Sequence, residues 1–526
     1  MKASDVIVQF LIDRNITDVF GYPGGMVTHL MDSLDRRKGE IEAHLTYHEQ
    51  GASFAACGYA QAALKPGVAY ATSGPGATNL ITGICNAYFD SIPVIFITGQ
   101  VNTYENGKGL LVRQKGFQET DIVSMVRPVT KYCDQVETPQ QLMPKLNHAY
   151  HMAMEGRCGP VLLDIPMDIQ RSQVDYVLND EPLCKPAEIS SQQRRQTEQW
   201  IRCAQRPCIL AGAGLRQSGA AEKWAQWMTS LRIPVITSMI AVDLLPSAHP
   251  MNFGFLGAYG DRCANFIVSQ CDVLITLGSR LDVRQTGARL QDFAPHARLI
   301  RVDIDDNELT HSIKEGELDL RMDLNQAVDW LGELLGELRC PDWIEHCEKL
   351  RSQLEGIDDL LPNQITAQIS RLVPSEAVIT TDVGQNQVWV AQSFEVKKGQ
   401  TLLFSGGHGA MGYSLPAAIG AWYARRKPVF CFCGDGGFQM NLQELQLISA
   451  YRLPVKIFVY NNRALGMIRH FQQMYFECRY VQTLSQSGYF SCDLEKIAAA
   501  YHIPYHRLEK QYEPLEQWMK EEGPAL

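Results

Sequence analysis

The run Pro428-Val429-Phe430-Cys431-Phe432-Cys433-Gly434-Asp435-Gly436-Gly437-Phe438-Gln439-Met440-Asn441, with its downstream companion Tyr460-Asn461-Asn462-Arg463-Ala464, decides how the chain reads. Pro428 to Cys433 is uninterruptedly apolar, as a strand buried on both faces of a parallel sheet would be. Leu442, Leu445, Ile448 and Ser449 follow at helical spacing, so the local order is strand, loop, helix. Leu453-Pro454 stops that helix, and Val455 to Tyr460 reads as the next buried strand. Asp435 and Asn462 thus fall just past the carboxyl ends of two successive strands, the edge where open α/β sheets bind ligands. Gly434, Gly436 and Gly437 let a bulky anion approach the backbone. A carboxylate, an amide oxygen and a nearby carbonyl are hard oxygen donors, suited to Mg2+ that also holds phosphate oxygens. A lone Gly-Asp-Gly is more often a turn with a solvated Asp. The strand–helix–strand context and the Asn pair favour the metal–diphosphate reading.

At 526 residues the chain exceeds what one core supports, and about three domains are expected. Its hydrophobic content of 45% and charged content of 20% are those of a soluble globular protein. A net charge of −10 argues against nucleic acid as a main partner. The 15 cysteines are scattered without paired Cys-x-x-Cys spacing, which argues against zinc and fits a reducing cytoplasm. Cys431 and Cys433 read as packing residues. Residues 1–20 read as an amphipathic helix with Asp5, Asp13, Arg14 and Asp18, not as a signal peptide. No apolar run approaches the roughly 20 residues of a membrane span.

Residues 1–170 alternate strand-like and helix-like runs: Asp18-Val19-Phe20-Gly21, Glu42 to Tyr47, Val68 to Thr72, Pro93 to Thr98 and Gly159 to Pro166 as strands, and Ala52 to Ala63 as a helix rich in small residues. Repeated βα units predict a parallel sheet covered on both faces. Residues 171–190 turn polar and read as a linker, through Asn179-Asp180-Glu181-Pro182. A second α/β segment over 190–340 has strands at Pro207 to Leu210, Pro234 to Thr237, Val273 to Leu277 and Leu299 to Ile304. Gly212-Ala213-Gly214 follows its first strand, a weak nucleotide-binding hint by itself. Pro341 to Pro362 is charged and helical and reads as a second connector, and the third segment, 363–526, holds the Asp435 motif. The fold class is therefore α/β, with three open parallel-sheet domains stacked in sequence.

Gly-Asp-Gly followed by Asn-Asn resembles the signature of thiamine-diphosphate (ThDP) enzymes. Within them, Tyr22-Pro23-Gly24-Gly25, His48-Glu49-Gln50-Gly51, Ser73-Gly74-Pro75-Gly76-Ala77-Thr78-Asn79 and Phe117-Gln118-Glu119-Thr120 resemble the acetohydroxyacid (acetolactate) synthase group. So do Gly384-Gln385-Asn386-Gln387-Val388-Trp389, Gly409-Ala410-Met411-Gly412-Tyr413-Ser414-Leu415-Pro416-Ala417-Ala418-Ile419-Gly420 and Leu465-Gly466-Met467. The match is collinear over essentially the whole chain. It implies pyrimidine-binding, central Rossmann-like and diphosphate-binding domains, and a ThDP-dependent carboligase that decarboxylates a 2-keto acid, pyruvate first, and transfers the acyl unit to a carbonyl acceptor.

The resemblance also assigns roles. Asp435, the Asn462 side chain and the Ala464 carbonyl are implied as Mg2+ ligands, and Gln385 and Asn386 as diphosphate contacts. Gly409 and Met411 are implied at the pyrimidine edge, with Met411 as the wedge that bends the cofactor. A carboxyl hydrogen-bonded to the pyrimidine N1′ must shuttle a proton there; Glu49 fills that role by resemblance, against the plainer reading of a helix N-terminal Glu facing the dipole. Gly25, Phe117, Gln118, Met467 and Phe471 are implied in the acceptor pocket, though each apolar one also reads as core. In the middle segment the resemblance implies a largely structural FAD held by Gly212, Gly214, Arg280, Asp303 and Asp323; an empty Rossmann-like domain is the alternative. Glu49 of one subunit is implied to meet the metal site of another, hence a homodimer or homotetramer, with a regulatory subunit undetermined.

Departures from the family qualify the acceptor. Pro166-Met167-Asp168 lacks the usual Lys, Phe471 replaces a frequent Trp, Asp282-Val283-Arg284 replaces Asp-Asp-Arg, and His408 stands where Leu is usual. Asn386 stands where the family often has His. His408 and Arg284 join the pocket candidates, His408 also reading as a plain surface residue. These changes point to a different acceptor, with a keto-sugar as one hypothesis. The alternatives are a 2-keto acid decarboxylase or oxidase without carboligation, and an inactive regulatory or binding relative. Glu522-Gly523-Pro524-Ala525-Leu526 resembles the opening of the family's last strand.

Overall fold

In the computed structural model, residues 1–179, 189–354, 360–508 and 513–526 are described. Three parallel sheets are present. The first comprises β1 (Asp18–Gly21), β2 (Glu42–Leu45), β3 (Gly67–Ala71), β4 (Val94–Gln100), β5 (Tyr132–Gln135) and β6 (Val161–Pro166), in the order β2-β1-β3-β4-β6-β5. The second comprises β7 (Pro207–Ala211), β8 (Val235–Thr237), β9 (Asn252–Phe255), β10 (Val273–Leu277), β11 (Arg298–Asp303) and β12 (Leu318–Arg321), in the order β12-β11-β10-β7-β8-β9. The third comprises β13 (Val378–Thr381), β14 (Thr401–Leu403), β15 (Val429–Gly434) and β16 (Val455–Tyr460), in the order β14-β13-β15-β16. Ala525 adds a parallel bridge to Lys456 of β16.

The three sheets are the three parallel-sheet segments expected from the sequence, and their contacts gather them into two units. The chain divides into two compact units, Met1–Leu183 with Ala377–Gln387 and Leu403–Leu526, and Cys184–Glu376 with Val388–Leu402. The first and third sheets therefore share one unit. The helices Glu49–Ala63 and Ser414–Arg425 join them, and both are built from small residues where they meet. A Cβ on Gly58 would stand 2.7 Å from Ala417 Cα, and one on Gly420 would stand 2.7 Å from the Ala55 carbonyl carbon, closer still to its oxygen. The two backbones thus touch directly. Around them Phe54, Tyr413, Leu415, Ile419, Cys431 and Cys433 form one buried cluster, so the two cysteines are packing residues.

Several local expectations change. The N-terminal helix Ala3–Asp13 is buried over Ala3, Ser4, Val6, Ile7, Val8, Phe10 and Leu11, more than a one-sided surface helix would be. No loop separates β15 from its helix: the strand ends at Gly434 and Asp435 begins the helix Asp435–Met440. The start of the polar linker is not free chain, because Ser172 O accepts from Ala3 N at 2.8 Å and Val174 N donates to Met1 O at 2.9 Å. Its remainder, residues 180–188, lies outside the described residues, as do 355–359 of the second connector. The helix Pro341–Leu354 packs into the second unit through Trp343 and Cys347, and Trp343 Nε1 donates to Pro207 O at 3.0 Å. Among the described residues no helix is long and apolar enough to cross a membrane.

Candidate active site

The larger unit offers two ligand edges, each where the strand order reverses. In the first sheet the reversal lies between β1 and β3, and in the third between β13 and β15. The residues of this unit predicted to hold the cofactor and its ion fall at these two edges as two clusters.

The first cluster is centred on Glu49, the first residue of the helix Glu49–Ala63, whose start is capped by His48 Nδ1 accepting from Gln50 N at 3.0 Å. Glu49 Oε2 accepts from Asn79 Nδ2 at 3.0 Å, and a Cβ on Gly76 would stand 3.2 Å from Oε1, so Gly76 leaves that oxygen room. In the same loop Ser73 Oγ is buried with no hydrogen-bond partner among the described residues. Gln118 has φ +63 and Gly74 φ +66; a Cβ on Gly74 would stand 2.9 Å from Gln118 Cβ. A non-glycine residue held in the left-handed region carries strain of the kind that gathers at working sites. Gly25 starts the turn Gly25–Val27 with nothing within 4 Å of its Cβ direction, and Phe117 is exposed.

Behind Gln118 stand two carboxylates that the sequence reading missed. Glu119 accepts from Gly107 N, Lys115 N and Gly116 N at 2.6, 2.8 and 3.0 Å, closing the loop between them. Burial works to raise that carboxyl, but the three N–H bonds outweigh it and hold it below its ordinary value. Asp164, on β6, accepts from Thr98 Oγ1, Gln100 Nε2 and Gln135 Nε2 at 2.7, 3.0 and 2.9 Å, and Gln100 Nε2 also reaches Thr120 O at 2.9 Å. Burial pushes Asp164 up to about 6.

The second cluster is centred on Asp435, 1% exposed, whose Oδ2 accepts from the Tyr489 hydroxyl at 3.0 Å. Burial lifts this carboxyl above its ordinary value, and the Tyr489 and Ser491 hydroxyls work against the lift. A Cβ on Gly436 would stand 2.9 Å from Leu465 Cδ2 and 3.3 Å from both Met411 Cε and the Tyr489 hydroxyl, so these side chains ring the motif. Gln385 Oε1 accepts from Asn462 Nδ2 at 3.1 Å, and Asn462 Oδ1 accepts from Ala464 N at 3.0 Å. Asn386 is buried, donates to Asp382 O at 2.7 Å, and its Oδ1 is 3.4 Å from where a Gly434 Cβ would stand. Asp382, also unforeseen, accepts from Val383 N, Gly412 N and Ser414 N at 2.9, 2.9 and 3.0 Å, and a Cβ on Gly437 would stand 2.7 Å from its Cγ. It fixes the Met411 loop to the Asp435 helix. Gly409, at φ +68, faces open space save for Val383 Cγ1 at 3.9 Å.

The acceptor candidates lie less tightly. Met467 and Phe471 are on the helix Gly466–Tyr475, where Phe471 is 40% exposed and stacks on Tyr475. His408 is exposed and its ring lies nearly parallel to Phe89, with centroids 5.6 Å apart; burial lowers its pKa. Arg284 belongs to the second unit, over the Tyr259 ring at 5.6 Å. Glu49 and Asp435 are not joined: among the described residues no hydrogen bond or ion pair links them.

In the second unit the predicted flavin residues are already engaged by the chain. A Cβ on Gly212 would stand 2.5 Å from the Gly278 carbonyl carbon, and one on Gly214 would stand 2.8 Å from Gly278 Cα. These glycines allow two strand ends to pack closely. Arg280 pairs with Asp282 at 3.2 Å, Asp303 Oδ1 accepts from Asp305 N, and Asp323 caps the helix Leu324–Gly336.

The larger unit does fit a diphosphate and a divalent ion. Asp435 is a buried carboxylate with no basic partner among the described residues, beside an amide and a backbone turn that offer oxygen donors. No group of three or more His, Cys, Asp or Glu among the described residues could hold a metal, so an ion here draws on amide or backbone oxygens as well.

Three thiamine pyrophosphate enzyme domains match the chain: the N-terminal TPP binding domain over residues 1–125, the central domain over 195–331 and the C-terminal TPP binding domain over 382–526. The class is thus that of enzymes using thiamine diphosphate, the pyrophosphate of those descriptions, with Mg2+. Among relatives, the acetolactate synthase isozyme 2 large subunit of Escherichia coli is 36% identical, over 100% of this chain and 95% of its own. The acetolactate synthase large subunits of Lactococcus lactis subsp. lactis (35%; 97% and 88%) and Corynebacterium glutamicum (36%; 98% and 84%) are similarly close. The chain belongs to the acetolactate synthase large-subunit family and is a ThDP-dependent carboligase of that type.

Proposed function

We propose that this enzyme decarboxylates pyruvate and transfers the two-carbon unit to a second carbonyl compound. When bound, thiamine diphosphate supplies the electron sink for loss of CO2 and the carbon that carries the acyl unit. Asp435, Asn462 and the Ala464 carbonyl hold Mg2+, and Gln385, Asn386 and the glycines at 434, 436 and 437 receive the diphosphate. Gly409 and Met411 hold the pyrimidine, and Glu49 keeps a proton at its ring nitrogen. Because Glu49 and Asp435 lie in separate clusters, a second copy of the chain brings its Glu49 to this Asp435, making a dimer the working unit. Met411 and Leu465 exclude water where the carboxylate is lost. Gly25, Phe117, Gln118, Met467 and Phe471 receive the acceptor.

The observation that carries this reading is the buried Asp435, with no basic partner among the described residues, beside the Gln385–Asn462 pair. Calorimetric titration with thiamine diphosphate, with and without Mg2+, tests it; affinity that ignores Mg2+ refutes the metal assignment. The acceptor is read from the departures: Phe471 for a bulkier ring, Met167 for a cation and His408 as a polar group favour an acceptor other than a 2-keto acid, a keto-sugar among them. Product analysis with pyruvate and a panel of aldehydes, keto acids and keto-sugars decides this, and acetolactate as sole product removes it. The family alone carries a flavin, which a yellow protein with flavin absorbance would establish. A small regulatory subunit is proposed because the relatives are named large subunits, and cytoplasmic residence because of the cysteine usage.

A further inference from the structure

Among groups not yet given a task, Glu444 stands out. It ends the short turn Leu442–Glu444, a few residues beyond the Asp435 helix, and is 0% exposed. Its Oε1 and Oε2 lie 3.0 and 3.2 Å from Tyr47 N, the peptide two residues before Glu49. His48 N and the Gln443 side chain also donate to it. A Cβ on Gly51 would stand 2.8 Å from its Cδ, so only glycine leaves space for the carboxyl against the first turn of the Glu49 helix. A second tie runs parallel: Asn441 Nδ2 donates to Gln50 Oε1 at 3.1 Å and to Gly412 O at 2.9 Å. No lysine, arginine or histidine pairs with Glu444 among the described residues; peptide N–H groups and the positive end of the helix Glu49–Ala63 meet its charge.

We propose that Glu444 is a positioning residue for Glu49, its carboxylate holding residues 47–51 so that Glu49 presents its carboxyl at a fixed place. This rests on the proposed role of Glu49. Burial pushes Glu444 up to about 7, so its charge changes within the working range. When protonated, one oxygen turns from acceptor to donor and faces an N–H, and the hold on the turn loosens. Among the described residues its titratable neighbours are Tyr47 and His48, whose N–H groups it holds, Glu49 next in the chain, and Tyr501, whose hydroxyl is raised first by burial and then by Glu444 itself. His48 Nδ1 already accepts from Gln50 N.

Glu444→Gln keeps the shape without the titration, Glu444→Asp keeps the charge, and Gly51→Ala presses on the carboxyl from the other side. With the holoenzyme, kcat and KM for pyruvate are measured from pH 5.5 to 8.5, alongside calorimetric affinity for thiamine diphosphate with Mg2+. Glu444→Gln should lower kcat 10- to 100-fold, as about 1 Å of misplacement does, with KM and cofactor affinity within about twofold. It should also erase the fall in kcat as the pH drops through 7, and Glu444→Asp should restore that limb in part. Gly51→Ala should lower kcat likewise, which keeps the idea testable if Glu444→Gln folds poorly. Wild-type kcat and an unchanged acid limb in Glu444→Gln, or loss of cofactor affinity in step with kcat, would overturn the proposal. Glu49→Gln is assayed in parallel. If it is inactive while Glu444→Gln is normal, positioning alone falls; if it is fully active, the reading of Glu49 falls.

Discussion

Replacing Gly420 by alanine tests whether the two helices of the larger unit touch backbone to backbone. In the helix Ser414–Arg425 alanine is intrinsically better than glycine by about 1 kcal/mol. The added methyl, however, would stand 2.7 Å from the Ala55 carbonyl carbon and 2.8 Å from Tyr59 N. Both are main-chain atoms, which no rotamer change moves aside, so the helices must part. Overpacking of this kind costs typically 1–3 kcal/mol, and the upper end applies here, leaving a net loss of about 2 kcal/mol. Gly332→Ala is the internal comparison. It lies in the helix Leu324–Gly336, and its new methyl would meet Trp227 Cδ1 at 3.5 Å, ordinary contact, so it should gain up to about 1 kcal/mol. Scanning calorimetry of the holoenzyme should show Gly420→Ala melting about 2 °C below wild type and Gly332→Ala at or above it. Equal shifts, or an unharmed Gly420→Ala, would refute the direct contact.

Tyr489→Phe removes the hydroxyl that orients Asp435 and should weaken Mg2+-dependent binding of thiamine diphosphate by about 10- to 100-fold, read by calorimetry. Asp164 titrates near 6 when folded against about 3.9 unfolded. The folded state then binds the proton more tightly, so stability is fullest below about pH 4 and falls by up to about 3 kcal/mol as the pH rises through 6. Urea midpoints from pH 4 to 7 should show that slope, and Asp164→Asn should flatten it. Phe471→Trp should shift the product ratio toward larger 2-keto acid acceptors in competition assays, and an unchanged ratio removes Phe471 from the pocket.

The Asp435 motif was legible in the sequence because its causes are local: an apolar strand, a glycine turn and a helix lie within a few residues of each other. Its surroundings were not. Tyr489 lies 54 residues downstream in irregular chain, and nothing in its neighbours' spacing marks it as a partner of Asp435. Asp382 and Glu444 looked like ordinary polar residues near a strand end and on a helix; their role comes from burial, which depends on what the distant chain covers. The small-residue character of residues 52–63 was visible, but its counterpart in 414–425 was absorbed into a cofactor motif, so the shared unit went unread. Glu119 sat inside a recognised motif, yet its three N–H bonds come from a loop with no pattern of its own. The middle glycines were visible as a spacing, but their close approach to Gly278 depends on a strand end about 65 residues away and was not.

The helix pairing also sets a waiting time during synthesis. Roughly 350 residues separate the end of Glu49–Ala63 from the start of Ser414–Arg425, so at 5–20 residues per second the first helix leaves the ribosome about 20–70 s before its partner. Through that interval its alanine-rich flank has no mate, and a chaperone or a neighbouring nascent chain is its natural escort.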